Sequence, residues 1–127
     1  MMTYERGDAV LLRFPFTTFV RGKQRPAVIV STSTYNRAGD DVITAAITSN
    51  LRAARRPGDY LLSHWREAGL IKESLVKSIL FTVEKSLIVR RLGRINKADM
   101  EGISEGLREA LSLSCCNSLE MSSTLTL

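Results

Sequence analysis

Short apolar runs alternate with polar, turn-forming stretches along most of this 127-residue chain, and one helical repeat follows them. Gly7-Asp8 is a turn signal ahead of residues 9–14, the first predicted strand, where Val10, Leu12, Phe14 and Phe16 share one face at period two. Pro15 cannot donate to a ladder, so it ends the regular pairing or sits at an edge. Residues 17–24 form a polar loop. Pro26 opens the second strand, residues 27–31, whose nearly continuous apolar run predicts burial on both faces. The polar stretch 32–41 carries Asn36, Gly39 and Asp40 as turn formers, and a third strand follows at 42–48. An arginine-rich loop at 49–58 closes with the breaker pair Pro57-Gly58. A short strand is expected at 59–62, an irregular segment at 63–72, and a long strand at 75–83 with branched residues at Val76, Ile79, Thr82 and Val83. Residues 87–89 read either as a last short strand or as one turn of helix.

The period changes after Asn96. That residue is a good N-cap, Asp99 stands in the capping-box position, and Met100, Ile103, Leu107, Ala110 and Leu111 recur at helical spacing. Gly102 and Gly106 each cost about 1 kcal/mol relative to alanine inside a helix. A close neighbour is therefore expected beside them, either the sheet or a second subunit. Closely spaced short strands followed by one helix predict a mainly β domain, a small sheet or barrel. The domain is expected over 1–113, and the Ser/Thr-rich, aperiodic stretch 114–127 is expected to be a mobile C-terminal tail.

Composition removes several classes of function. The length fits one domain. A chain of this size buries roughly two thirds of its unfolded surface, so its core needs no disulfide or metal. The two cysteines, Cys115 and Cys116, are adjacent, and His64 is the single histidine, so no zinc-ligand spacing exists. No apolar run approaches the ~20 residues of a membrane helix, and the N-terminus lacks a signal-peptide layout. With free thiols this leads to the expectation of a cytoplasmic protein that does not engage a membrane.

Charge sharpens the picture. The formal net charge is +5. Residues 1–98 hold 17 Lys+Arg against 8 Asp+Glu, and residues 99–127 hold 1 against 5, so a +9 body is joined to a −4 C-terminal part. The basic residues cluster as Arg21, Lys23 and Arg25 and again as Arg52, Arg55 and Arg56. Such a field suits a polyanion, nucleic acid above all, although a solvated basic face has the same composition.

Five segments, in order, resemble a known family. They are Arg6-Gly7-Asp8-Ala9-Val10 leading to Phe14-Pro15-Phe16-Thr17; Lys23-Gln24-Arg25-Pro26-Ala27-Val28-Ile29-Val30-Ser31; Ala46-Ile47-Thr48-Ser49; Ala68-Gly69-Leu70 with Ser74-Leu75-Val76; and Leu80-Phe81-Thr82-Val83-Glu84-Lys85 with Arg91-Leu92-Gly93. Their order and gaps resemble the MazF/PemK family of type II toxin–antitoxin toxins, the mRNA interferases. The resemblance implies an SH3-like barrel or strongly bent antiparallel sheet with a C-terminal helix and short helical turns. It implies a homodimer that cuts single-stranded mRNA at a short sequence without a metal or other cofactor, leaving 2′,3′-cyclic phosphate and 5′-hydroxyl ends. It also implies a cognate acidic antitoxin whose disordered segment folds over the basic groove. The gyrase-poisoning CcdB toxins share this fold, so a non-enzymatic toxin acting on a protein such as DNA gyrase stays open, as does a catalytically silent RNA- or DNA-binding module.

The resemblance assigns Arg25 to the family's catalytic arginine position and Thr48 to its catalytic hydroxyl position. The chemistry fits both side chains. A planar guanidinium donates two hydrogen bonds to phosphate oxygens, and stabilising the charge that develops there usually accounts for most of the rate gain in such reactions. A hydroxyl can donate to a phosphate oxygen but is a poor general base. At period two Thr48 and Ser49 face opposite sides unless the strand has ended between them. Ser49, Phe19, Arg21, Lys23, Arg52, Arg55 and Arg56 are the expected substrate-binding residues, the cations along the RNA backbone and Phe19 against a base. The general base has no obvious owner: His64 reads as an exposed loop residue, and Glu5, Asp8 and Glu84 are weak candidates. Trp65 suits core packing better than base stacking.

Overall fold

The structure is a computed structural model, described for residues 3–13, 24–52 and 55–113. Among the described residues six strands form one antiparallel sheet: β1 Asp8–Arg13, β2 Gln24–Ile29, β3 Asp41–Thr48, β4 Tyr60–Leu61, β5 Leu75–Glu84 and β6 Ile88–Arg94. Their spatial order is β4-β5-β3-β2-β1-β6. The expected bent antiparallel sheet is present, and it stays open, with β4 and β6 as its edges. Among the described residues, the helices α1 Ser33–Ala38 and α2 Lys97–Leu111 and a 3₁₀ turn at Lys85–Leu87 complete the fold. Among the described residues no helix is long and apolar enough to cross a membrane.

The sheet bends because the second half of β2, with Val30 after it, has no polar face. Ala27, Val28 and Ile29 are fully buried, and Val30 nearly so. Val28 and Val30 point into one core, shared with Ala9, Ala45, Ile47 and Ile103 of α2. Ala27 and Ile29 point into a second core, shared with Val10, Leu12, Val42, Val83 and Ile88. The predicted pairing of Val10 with Leu12 on one face therefore holds, while Phe14 and Phe16 lie outside the described residues. Two register shifts between β1 and β6, and one between β3 and β5, supply local twist.

Helix α2 lies tightly against β4 and its preceding turn. A Cβ on Gly106 would stand 2.3 Å from the carbonyl oxygen of Gly58, and one on Gly102 would stand 2.1 Å from the Tyr60 ring. The close neighbours expected beside these glycines are thus a turn and a strand of the same chain. Arg6 ties the helix to β2, donating to the Val30 carbonyl and, at 2.6 Å, to Ser104 Oγ.

Asn96 caps α2 as expected, accepting the Ala98 N–H at 2.8 Å. Asp99 does not close a capping box. Its buried carboxylate accepts from the backbone N–H of Ser63 (3.0 Å) and His64 (2.8 Å) and from Tyr60 Oη (2.8 Å). The polar stretch 32–41 contains α1, which is too short to show periodicity. Thr32 caps its start, and Lys85 Nζ donates to the carbonyls of Asn36 and Gly39 at its end. Strand β6 runs well past the expected 87–89 because Arg91 and Arg94 point at buried Asp8 rather than into the core. Asp8 begins β1 after the Gly7 turn and accepts from Arg91 (3.1 Å), Arg94 (2.9 Å) and the Glu5 N–H (2.9 Å).

In an isolated helix Gly106→Ala would stabilise by about 1 kcal/mol. Here the clash with Gly58 reverses the sign, and a loss of about 1–3 kcal/mol is expected. Thermal unfolding measures it, and a raised Tm would contradict the packing.

Candidate active site

Strand β2 is paired on both sides over only part of its length. Gln24, Arg25 and Pro26 pair with Arg13, Leu12 and Leu11 of β1, while the ladder to β3 comprises Ala27, Val28 and Ile29. Pro26 has no N–H to offer, and it sits where no β3 partner asks for one. Extended by two residues, the Ala27–Ala46 register brings Arg25 level with Thr48. A cleft of about 260 Å³ opens between them, and both residues line it.

Arg25 is exposed, and among the described residues no carboxylate pairs with it. Thr48 is half-buried at the last position of β3. Its Oγ1 accepts the Asn50 N–H at 3.1 Å, which leaves the hydroxyl hydrogen free to donate into the cleft. Because the strand ends at Thr48, Ser49 escapes the period-two alternation and also lines the cleft.

The far wall was not visible in the sequence. Ile71, Lys72 and Ser74 line the same cleft as Arg25 and Thr48. Ile71 and Lys72 belong to the segment predicted to be irregular, and Ser74 lies two residues past it. Only the pairing of Thr48 with Leu75 brings them there. The described lining contains no carboxylate and no imidazole.

Other expected residues lie elsewhere. Arg52, Arg55 and Arg56 are exposed in the loop after β3 and do not line the cleft. Phe19, Arg21 and Lys23 lie outside the described residues, as do residues 114–127. His64 is exposed in a turn, its Nδ1 3.6 Å from Asp99. Trp65 packs against the first core under the Arg66 guanidinium, 4.9 Å from the ring centre. Glu5 and Asp8 are bound to Arg94, and Glu84 accepts from Ser86 rather than from Arg90 or Lys85. None of these three acids lines the cleft.

A family model of the PemK-like, MazF-like toxins of type II toxin–antitoxin systems matches residues 5–111. The chain belongs to this toxin family. The toxin is 31% identical over 93 residues to Endoribonuclease MazF6 of Mycobacterium tuberculosis, covering 72% of this chain and 81% of that protein. Endoribonuclease MazF2 of Mycobacterium bovis matches to the same extent. Among solved structures, a mycobacterial endoribonuclease in complex with its cognate antitoxin superposes with a TM-score of 0.71 at 20% identity, over 88% of this chain and 98% of that one. A MazE–MazF structure from Deinococcus radiodurans gives 0.70 at 20% identity, over 90% and 100%. At that identity these structures establish the fold of the toxin.

Both ends of the toxin's arginine loop are tied down. At its start, the Arg52 N–H donates to Asn50 Oδ1 at 3.2 Å. At its end, the buried carboxylate of half-buried Asp59 accepts from the Arg56 N–H (2.9 Å), Lys77 Nζ (2.6 Å), and the Ser78 N–H (2.8 Å) and Oγ (3.2 Å). The ladder between β3 and β5 shifts register here, and Asp59 takes up the Ser78 N–H. Burial pushes the Asp59 carboxyl up, but the bonds from Lys77, Arg56 and Ser78 outweigh it and hold it at about 2. Asp99 follows the same pattern: burial raises it, and the His64 and Ser63 N–H groups with Tyr60 Oη bring it below the ordinary range.

A carboxyl depressed in the folded state contributes stability above its unfolded pKa and loses it as the pH falls toward the folded one. For Asp59 that window runs from 3.8 down to about 2. Its contribution at neutral pH is about 2 kcal/mol. Asp59→Asn is expected to lower stability by about this amount at pH 7, with the deficit shrinking as pH falls through the window. Denaturant melts of both proteins across that range check it, and a pH-independent deficit would contradict it.

Proposed function

We propose that this toxin is a metal-independent, sequence-specific endoribonuclease that cuts single-stranded mRNA, with Arg25 and Thr48 acting on the scissile phosphate. The observation that carries this reading is their juxtaposition: an exposed guanidinium with no neutralising carboxylate stands level with a hydroxyl free to donate, across an open cleft. Membership of a family whose curated relatives are endoribonucleases supports it.

In the proposed reaction the substrate's 2′-oxygen attacks phosphorus and the bond to the 5′-oxygen breaks. The products are a 2′,3′-cyclic phosphate and a 5′-hydroxyl. Arg25 holds two phosphate oxygens and stabilises the charge that builds on them. Thr48 donates to a phosphate oxygen and fixes its orientation. The 2′-oxygen gives up its proton and the departing 5′-oxygen gains one, and among the described residues the cleft lining holds no carboxylate or imidazole to carry either. Rate then comes from positioning and electrostatics rather than from an acid–base pair. Ser49, Arg52, Arg55 and Arg56, with Phe19, Arg21 and Lys23, belong to the proposed RNA-binding surface.

The reading extends to partners and location. A homodimer working in the cytoplasm, with the toxin domain over 1–113, is the proposed working form. An acidic antitoxin segment is the proposed inhibitor, for which the exposed, unpaired cations around the cleft are suited.

Purified toxin should cut single-stranded RNA in EDTA. Arg25→Ala should lower the single-turnover rate by about 10²–10³, with an unchanged melting curve. Thr48→Val should lose about tenfold or more, and Thr48→Ser should keep most of the activity. Full activity in Arg25→Ala, or its loss in EDTA, would overturn the reading.

A further inference from the structure

Ile71 is 89% exposed, the most exposed of the large hydrophobic residues among those described. It is not on a free loop tip. Leu70, just before it, packs on the first core, and its N–H donates to the Trp65 carbonyl at 3.2 Å. Gly69 adopts φ +79°, and a Cβ there would stand 2.1 Å from the Leu92 carbonyl oxygen, so this turn is seated on β6. After Ile71, Ser74 is buried; its Oγ donates to the Lys72 carbonyl at 2.9 Å, and its own carbonyl accepts the Leu62 N–H at 3.0 Å. Residues 70–74 are thus an arm anchored at both ends, which holds an isoleucine in water beside the cleft.

The next residue, Lys72, is also exposed, and among the described residues no carboxylate pairs with it. An aliphatic side chain and an ammonium on successive residues, lining one cleft with Arg25 and Thr48, match a nucleotide in their order of chemistry. The cation suits a phosphate and the apolar face suits a base.

We infer that this arm is a substrate-reading wall: Lys72 holds a phosphate flanking the cut, and Ile71 packs on one unstacked base beside it. An aliphatic face makes no hydrogen bond, so it discriminates by the area and shape of the base it covers. Its contribution is to RNA binding and cut-site preference, and the chemical step stays with Arg25 and Thr48. The inference rests on the Arg25–Thr48 reading of the cleft.

The test uses the full chain, a random-sequence single-stranded RNA pool with end-mapping, and kinetics on one cleaved oligonucleotide at several salt concentrations. Lys72→Gln is expected to raise KM about five- to tenfold with a much smaller change in kcat. Its log–log slope of affinity against salt should flatten by about 0.7, the value of one phosphate contact on a single strand. Ile71→Ser is expected to flatten base preference at a single position adjacent to the cut and to leave the other positions as they are. Both residues are exposed, so unchanged melting curves are expected of both variants. If wild type cuts, Arg25→Ala does not, and both arm variants keep wild-type KM, salt slope and preference, the wall is refuted while the cleft reading stands. If wild type does not cut RNA at all, the cleft reading fails and the wall fails with it.

Discussion

Residues 27–30 leave no side of β2 for water, and the shape of the molecule answers that constraint. A flat sheet with one helix can cover only one face of a strand. Here α2 closes the side of Val28 and Val30, and curvature brings Leu12, Val42, Val83 and Ile88 over the side of Ala27 and Ile29. The register shifts that let β6 and β5 follow the curve are the local means of achieving it. The close approach of Gly106 to Gly58 then sets how near α2 can lie. The cleft follows from the same strand: Pro26 stands where β2 is paired on one side only, and the opening left toward β3 holds Arg25 opposite Thr48.

Two groups of the toxin's cations differ in their physics. Arg91 and Arg94 are committed to Asp8, Lys77 to Asp59, Lys85 to the end of α1, and Arg6 to Val30 and Ser104. The buried carboxylates are well satisfied, so these pairs order the fold and add little to the outer field. The side chains of Arg25 and Lys72 at the cleft, and of Arg52, Arg55 and Arg56 in the exposed loop, have no carboxylate partner among the described residues. A net charge of +5 therefore understates what a phosphate chain meets there.

Much of the fold was legible because burial leaves a period in the sequence. The doubly buried β2, the run of β3, the long β5 and the apolar stripe of α2 all announce themselves. The misses share a cause. Strand β6 carries Arg91 and Arg94 for an ion pair with Asp8, so its pattern is broken by residues that serve a distant partner. Asp99 looks like a cap and instead holds the 63–64 turn, since its carboxylate reaches three donors outside its own helix. Helix α1 is held by Thr32 and Lys85 rather than by an apolar face.

By itself the sequence determined the class of fold and the family, and its motifs singled out Arg25 and Thr48, both of which line the cleft, because strand periodicity and short motifs are local properties of the chain. Only the tertiary structure decided that Thr48 and Ser49 both face the cleft, since that depends on where β3 stops. It alone placed Ile71, Lys72 and Ser74 in one cleft with Arg25, through the pairing of Thr48 with Leu75 across 27 positions of sequence. Contacts between segments that distant are set by register and curvature, and no local pattern of side chains encodes them.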